Sequence, residues 1–153
     1  MNWKTVLAGA LLCTVLTGCG SSAEAPAPAD AIKSLQSELT FTDQMTDLDS
    51  EGACRFYDLD ATLVADSAAY VGSGATAESL AAFTAKDSDS ADQLVEALGA
   101  FVDGWIEGYS SYKPEEVPKL ESAVIDRQGE TVVFCVTDDN AAAKDAVQAV
   151  LHP

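Results

Sequence analysis

The chain has one histidine, His152, and eight lysines and arginines against 25 aspartates and glutamates, a formal net charge of −17. A lone histidine beside the C-terminus leaves Ser-His-Asp and Cys-His catalysis without a base that can be held in position. The scarcity of basic side chains excludes nucleic acid as a partner, because neutralisation of phosphates by lysine and arginine supplies most of that binding. No Gly-x-Ser-x-Gly elbow, phosphate loop or dinucleotide fingerprint is present. Cys54 and Cys135 lie too far apart for a zinc motif, so no metal or cofactor is expected. No internal repeat of solenoid period occurs. The apolar run at residues 5–16 falls short of the ~20 residues that a spanning helix needs.

That short run is informative for another reason. Lys4 precedes it, and Leu16-Thr17-Gly18-Cys19 closes it. Together these read as a lipoprotein signal, with cleavage between Gly18 and Cys19 and a diacylglyceryl group on the Cys19 thiol. Cys13 would leave with the leader. Residues 20–29, Gly-Ser-Ser-Ala-Glu-Ala-Pro-Ala-Pro-Ala, are small and proline-containing and read as a tether. A tether at about 3.1 Å per residue outreaches the about 8 Å over which salt screens charge, so an acidic domain can float above anionic headgroups. The expected organisation is a signal over 1–18, a tether over 19–29 and one domain over 30–153, on the outer face of the cell membrane. An exported protein can bridge Cys54 and Cys135. Cys135, however, sits in Val132-Val133-Phe134-Cys135-Val136, where a thiol acts as a small hydrophobe, and buried free thiols are the favoured expectation.

Within the domain, Asp30 is placed to cap a first helix running to Leu39, and residues 41–49 read as irregular. Ser50 opens a short helix to Tyr57. Residues 63–71 and 79–86 read as a hairpin around Gly72-Ser73-Gly74. The Asp87-Ser88-Asp89 caps open a long helix whose stripe is Leu94, Leu98, Val102, Trp105, Tyr109 and Tyr112; Pro114 and Pro118 end it. A second hairpin over 122–137 turns at Gln128-Gly129, and Asp138 or Asp139 caps a final helix over 141–151. The predicted fold is α+β: a four-stranded, mostly antiparallel sheet of two hairpins, in the order (α)-β-β-α-β-β-α, with the helices packed on one face.

Few constellations promise chemistry. Gly72-Ser73-Gly74 weakly resembles a phosphate cradle but joins two strands, which favours a plain hairpin loop. Asp87-Ser88-Asp89-Ser90-Ala91-Asp92 resembles part of a calcium loop without its central glycine and closing glutamate; helix capping explains it better. Trp105, Tyr109 and Tyr112 have the spacing of core aromatics, with a ligand groove as the second reading. The candidate binding surface is Tyr112, Pro114, Glu115 and Lys119, where proline sets the chain direction and Glu115 can reach Lys119 across a helical turn.

The ordered segments Tyr70-Val71-Gly72-Ser73-Gly74-Ala75-Thr76-Ala77-Glu78, Leu80-Ala81-Ala82-Phe83, Tyr112-Lys113-Pro114-Glu115-Glu116-Val117-Pro118-Lys119-Leu120 and 129–136 resemble a family of small lipoproteins from Gram-positive anaerobic bacteria, known only as a domain of unknown function. The likeness spans about residues 45–151. It implies an extracytoplasmic lipoprotein domain without an assigned activity, transfers no catalytic or ligand residue, and leaves Cys54 and Cys135 outside its pattern. The expected function is therefore a non-enzymatic binding or accessory module of the envelope, whose partners are membrane lipid through acylated Cys19 and an envelope protein. A small-molecule or cation receptor is the alternative, and a carboxylate-dependent envelope hydrolase a weaker one.

Overall fold

The computed structural model describes residues 25–152. The expected signal segment, the expected Gly18–Cys19 cleavage site and most of the expected tether lie outside the described residues. The elements are α1 (Pro28–Glu38), β1 (Thr46–Leu48), α2 (Ser50–Phe56), β2 (Val64–Val71), β3 (Ser79–Ala85), α3 (Ser88–Tyr112), a 3₁₀ turn (Pro114–Glu116), α4 (Val117–Glu121), β4 (Val124–Gln128), β5 (Thr131–Val136) and α5 (Asn140–Leu151). The first helix starts at Pro28, two residues before Asp30 and inside the segment expected to be tether. The N-cap is Ala27, whose side chain has no acceptor, so Asp30 does not cap the helix but sits in its first turn, and Pro28 stands where its missing N–H costs nothing. Two caps fall as expected, Asp87 accepting from the Ser90 N–H and Asp139 from that of Ala142, whereas α2 is capped one residue earlier than expected, by Asp49 accepting from the Gly52 N–H, with Ser50 already inside the helix.

The five strands form one antiparallel sheet in the order β1-β2-β3-β5-β4. The two expected hairpins are both present and meet through β3 and β5, Ser79 opposite Val136 and Thr84 opposite Thr131. The fold is α+β, but the sheet has five strands where four were expected. The extra strand, β1, pairs Thr46 with Val71. Three residues carry no readable periodicity, so only pairing with β2 makes this segment a strand.

The helices also cover both faces of the sheet, not one. Tyr57, Phe83, Leu94, Leu98, Leu120 and Phe134 belong to the core beneath α2, α3 and α4. Ile32, Leu35, Leu80, Val133, Cys135 and Val147 belong to a second core beneath α1 and α5. The cause is visible in β5, whose residues are apolar at nearly every position and all buried. A strand that is apolar on both sides must be covered on both sides. Cys135 points into the α1–α5 core and Cys54 into the opposite one, and both are free thiols, so the disulfide does not form. Burial pushes the Cys135 thiol up to about 12.

The 25-residue α3 contains Gly99, Gly104 and Gly108, whose Cβ positions are all open space. Each costs about 1 kcal/mol relative to alanine. The buried stripe Ala91, Leu94, Leu98, Val102 and Tyr109 offsets that cost by docking on the sheet. Arg127 on β4 ties the start of this helix down through an ion pair with Asp92 and a 2.7 Å bond to the Ser88 hydroxyl.

Candidate functional site

The most organised polar region lies at the end of the sheet where β2 turns into β3. Residues 72–78 fold back on themselves, with the Gly72 N–H donating to the Glu78 carbonyl at 3.1 Å. Gly74 takes φ +90°, which a side chain would resist. The loop does cradle an anion, but one from its own chain. The Asp43 carboxylate accepts from the Ser73 N–H at 3.0 Å, the Ser73 hydroxyl at 2.6 Å and the Thr76 N–H at 3.1 Å, and the next residue in the chain adds the Gln44 N–H at 2.6 Å. Gly72 permits this approach, since a Cβ there would stand 2.7 Å from Asp43 Oδ2. Burial works to raise the Asp43 pKa; the donors of Ser73, Thr76 and Gln44 outweigh it and hold the carboxyl below its ordinary value.

Glu78 returns the contact. It is wholly buried, and its carboxylate accepts from the N–H groups of Thr42 (2.9 Å) and Asp43 (2.7 Å) and from the hydroxyls of Thr42 and Thr76. A third acid, Glu116, closes the remaining gap. It accepts from the Ala77 N–H at 3.0 Å and pairs with Lys119 at 2.9 Å and Lys113 at 3.6 Å. Burial opposes its ionisation, but the Ala77 amide and the two ammonium groups keep its pKa below the usual glutamate value. Lys119 is shifted the opposite way: burial would lower its pKa, and Asp138 and Glu116 together raise it.

The end of α3 is bolted to the same loop through carbonyls. The Tyr109 hydroxyl donates to Thr76 O at 2.6 Å, and Lys113 Nζ donates to Ala75 O at 2.7 Å. One turn along, Tyr112 stands 70 % exposed with its ring 6.2 Å from that of Tyr109. Pro114 and Glu115 are exposed beside it.

The four residues expected to form a binding surface therefore separate. Tyr112, Pro114 and Glu115 face outward, whereas Lys119 turns inward between Glu116 Oε2 and Asp138 Oδ1, the latter at 2.5 Å. The expected Glu115–Lys119 pair is replaced by Glu116–Lys119. Pro114 opens a 3₁₀ turn before α4 begins, and that tighter winding brings residues three apart together.

The acids of this hub are occupied by donors of the fold itself. Among the described residues, no group of three or more histidines, cysteines, aspartates or glutamates is arranged to hold a metal ion. Asp87 is engaged in capping α3, and His152 sits past the end of α5. Sequence reasoning missed Asp43, Glu78 and Glu116 as the organising residues. Glu78 and Glu116 both lie inside the quoted motifs. An acid directly before an apolar strand was the available signal for Glu78; Asp43 carried none, because its partners lie some thirty residues away.

Residues 37–137 match DUF4358, a domain of unknown function, and the chain belongs to that family. The match includes every strand, α3 and all three carboxylates of the hub. It leaves out α5 and most of α1, the two helices of the second face. No curated protein and no solved structure matches the chain.

Proposed function

We propose that this chain is an extracytoplasmic lipoprotein, held to the cell membrane by acylated Cys19, that acts as a binding or accessory module of the envelope and not as an enzyme. Its docking face is the end of α3 and the turn after it: Tyr112, Pro114 and Glu115, presented on the carboxylate-braced loop. The observation that carries this reading is Tyr112, the exposed large hydrophobic residue of the described chain, mounted on a frame with its hydrogen bonds satisfied. An exposed aromatic on a rigid platform loses little entropy on binding and is the kind of residue that anchors protein interfaces. The Leu16-Thr17-Gly18-Cys19 segment supports the anchor, and no described helix is long and apolar enough to cross a membrane.

The reading is tested in two arms. Mass spectrometry of the native polypeptide should find Cys19 as the first residue, carrying a diacylglyceryl group. Tagged protein recovered from native membranes should bring down a stoichiometric partner that Tyr112→Ala loses while the protein stays folded. An unmodified Cys19 removes the anchor, and equal recovery with Tyr112→Ala removes the docking face.

A further inference from the structure

A second feature lies earlier on α3, on the N-terminal side of Tyr109. Tyr57, Asp58, Phe101, Gly104 and Trp105 line an open notch of about 370 Å³, the lower end of the range for small-ligand sites. Ala97 and Ala100 form the rest of its wall. The aromatic rings are fixed against one another: Phe101 and Trp105 at 4.5 Å between centroids, Phe56 edge-on to Trp105 at 5.7 Å, and Phe101 to Tyr57 at 4.9 Å. At Gly104 the wall of the notch is open space: a Cβ there would meet nothing within 4 Å.

Asp58 is the second, independent observation. α2 ends in a Schellman motif, with Leu59 N–H donating to the Cys54 carbonyl at 2.9 Å and Asp58 N–H to the Arg55 carbonyl at 3.4 Å. The residue at the left-handed position of that motif is usually glycine. Here it is Asp58, at φ +52°, the one non-glycine residue with positive φ among those described. The fold would be served better by glycine. Keeping an acid in a strained conformation at the rim of an aromatic notch is the pattern expected where a ligand uses that acid. On α3 the residues beside Gly104 and Trp105 are Asp103 and Glu107, and that helix has no lysine or arginine; the nearest cation in sequence, Arg55 on α2, is paired with Glu51.

We propose that the notch between the end of α2 and the middle of α3 is a binding site for an organic cation, a quaternary ammonium head seated against Trp105 and Phe101 with Asp58 as its counter-ion. Trimethylammonium groups bind through the faces of such rings, and the attraction grows when the site excludes water. The site rests neither on the lipid anchor nor on the Tyr112 face.

Trp105 reports on its own site once Trp3 is replaced by phenylalanine, since the chain has two tryptophans. Choline chloride titrated into the full-length Trp3→Phe protein at constant ionic strength should change Trp105 emission saturably, with a roughly millimolar midpoint for so small a ligand. The uncharged isostere 3,3-dimethylbutanol should bind about tenfold more weakly, the share of the cation–π and ionic attraction. Asp58→Gly should weaken choline binding by a similar factor while raising the melting temperature by roughly 2–5 °C through relief of strain. Gly104→Leu should fill the notch and abolish the emission change with the helix intact by circular dichroism; Gly104→Ala is the folding control. A linear, unsaturable response to choline, equal binding of the neutral isostere, or undiminished choline binding by folded Gly104→Leu or Asp58→Gly would each overturn the proposal.

Discussion

Replacing Glu78 by alanine is the sharpest test of the carboxylate hub. Its carboxylate receives the N–H groups of Thr42 and Asp43 and the hydroxyls of Thr42 and Thr76, and the residue is fully buried. Hydrogen bonds to a charged acceptor contribute about 1.5–3 kcal/mol each when taken singly. Bonds sharing one carboxylate do not add, and water can reach the exposed Thr42 amide in the variant. The expected loss for Glu78→Ala is therefore about 3–4 kcal/mol, near the cost of opening a buried charged contact. Glu78→Gln keeps one acceptor oxygen. Set in the place of Oε2, that oxygen retains Asp43 N, Thr42 N, Thr42 Oγ1 and Thr76 Oγ1, while the amide NH2 replaces Oε1, loses its contact with Thr42 N and faces that donor, so about 1 kcal/mol is expected. Urea unfolding followed by circular dichroism gives both values, and thermal melts should fall by roughly 10–15 °C and 3–5 °C respectively. The reasoning fails if alanine costs under about 0.5 kcal/mol, the range of ordinary surface changes, or if glutamine costs as much as alanine.

Acid should loosen the same hub. Asp43 and Glu116 titrate below their ordinary 3.8 and 4.5, so their stabilisation is complete above those values and is lost as the pH falls through and below them. Melting temperature measured from about pH 7 down to about pH 2 should drop from near 4.5, and Glu116→Gln should start lower and fall less steeply. Gly72→Ala should destabilise by about 1–3 kcal/mol in urea titrations, because its Cβ would stand 2.9 Å from the Glu78 carbonyl oxygen and 2.7 Å from Asp43. Gly108→Ala on α3, where nothing lies within 4 Å, should instead gain up to about 1 kcal/mol. Cys54 and Cys135 should resist a thiol reagent in the native protein and both react once it is unfolded without reductant; if neither reacts after unfolding, the disulfide is restored.

Much of the local structure is legible in the residues themselves. The spacing of Leu94, Leu98 and Val102, with Asp87 in front, specifies α3 and its cap, and the Gln128-Gly129 pair marks the β4–β5 turn, where Gly129 takes φ +57°. These features depend on neighbours a few residues apart, so composition and periodicity carry them. The same holds for the excess of acid and the leader-like pattern ending at Cys19.

What the tertiary structure alone decided are the contacts between distant segments. β1 is a strand only because β2 lies beside it, the second layer of helices follows from β5 having two faces to cover, and Asp43 meets the 72–76 loop across thirty intervening positions. The notch beside Trp105 likewise needs α2 and α3 to converge. Short-range patterning sets which segments become helices and strands, because backbone sterics and burial act locally. The pairing of a buried acid with its donors is settled only when the assembled chain removes water from them and no other partner is within reach.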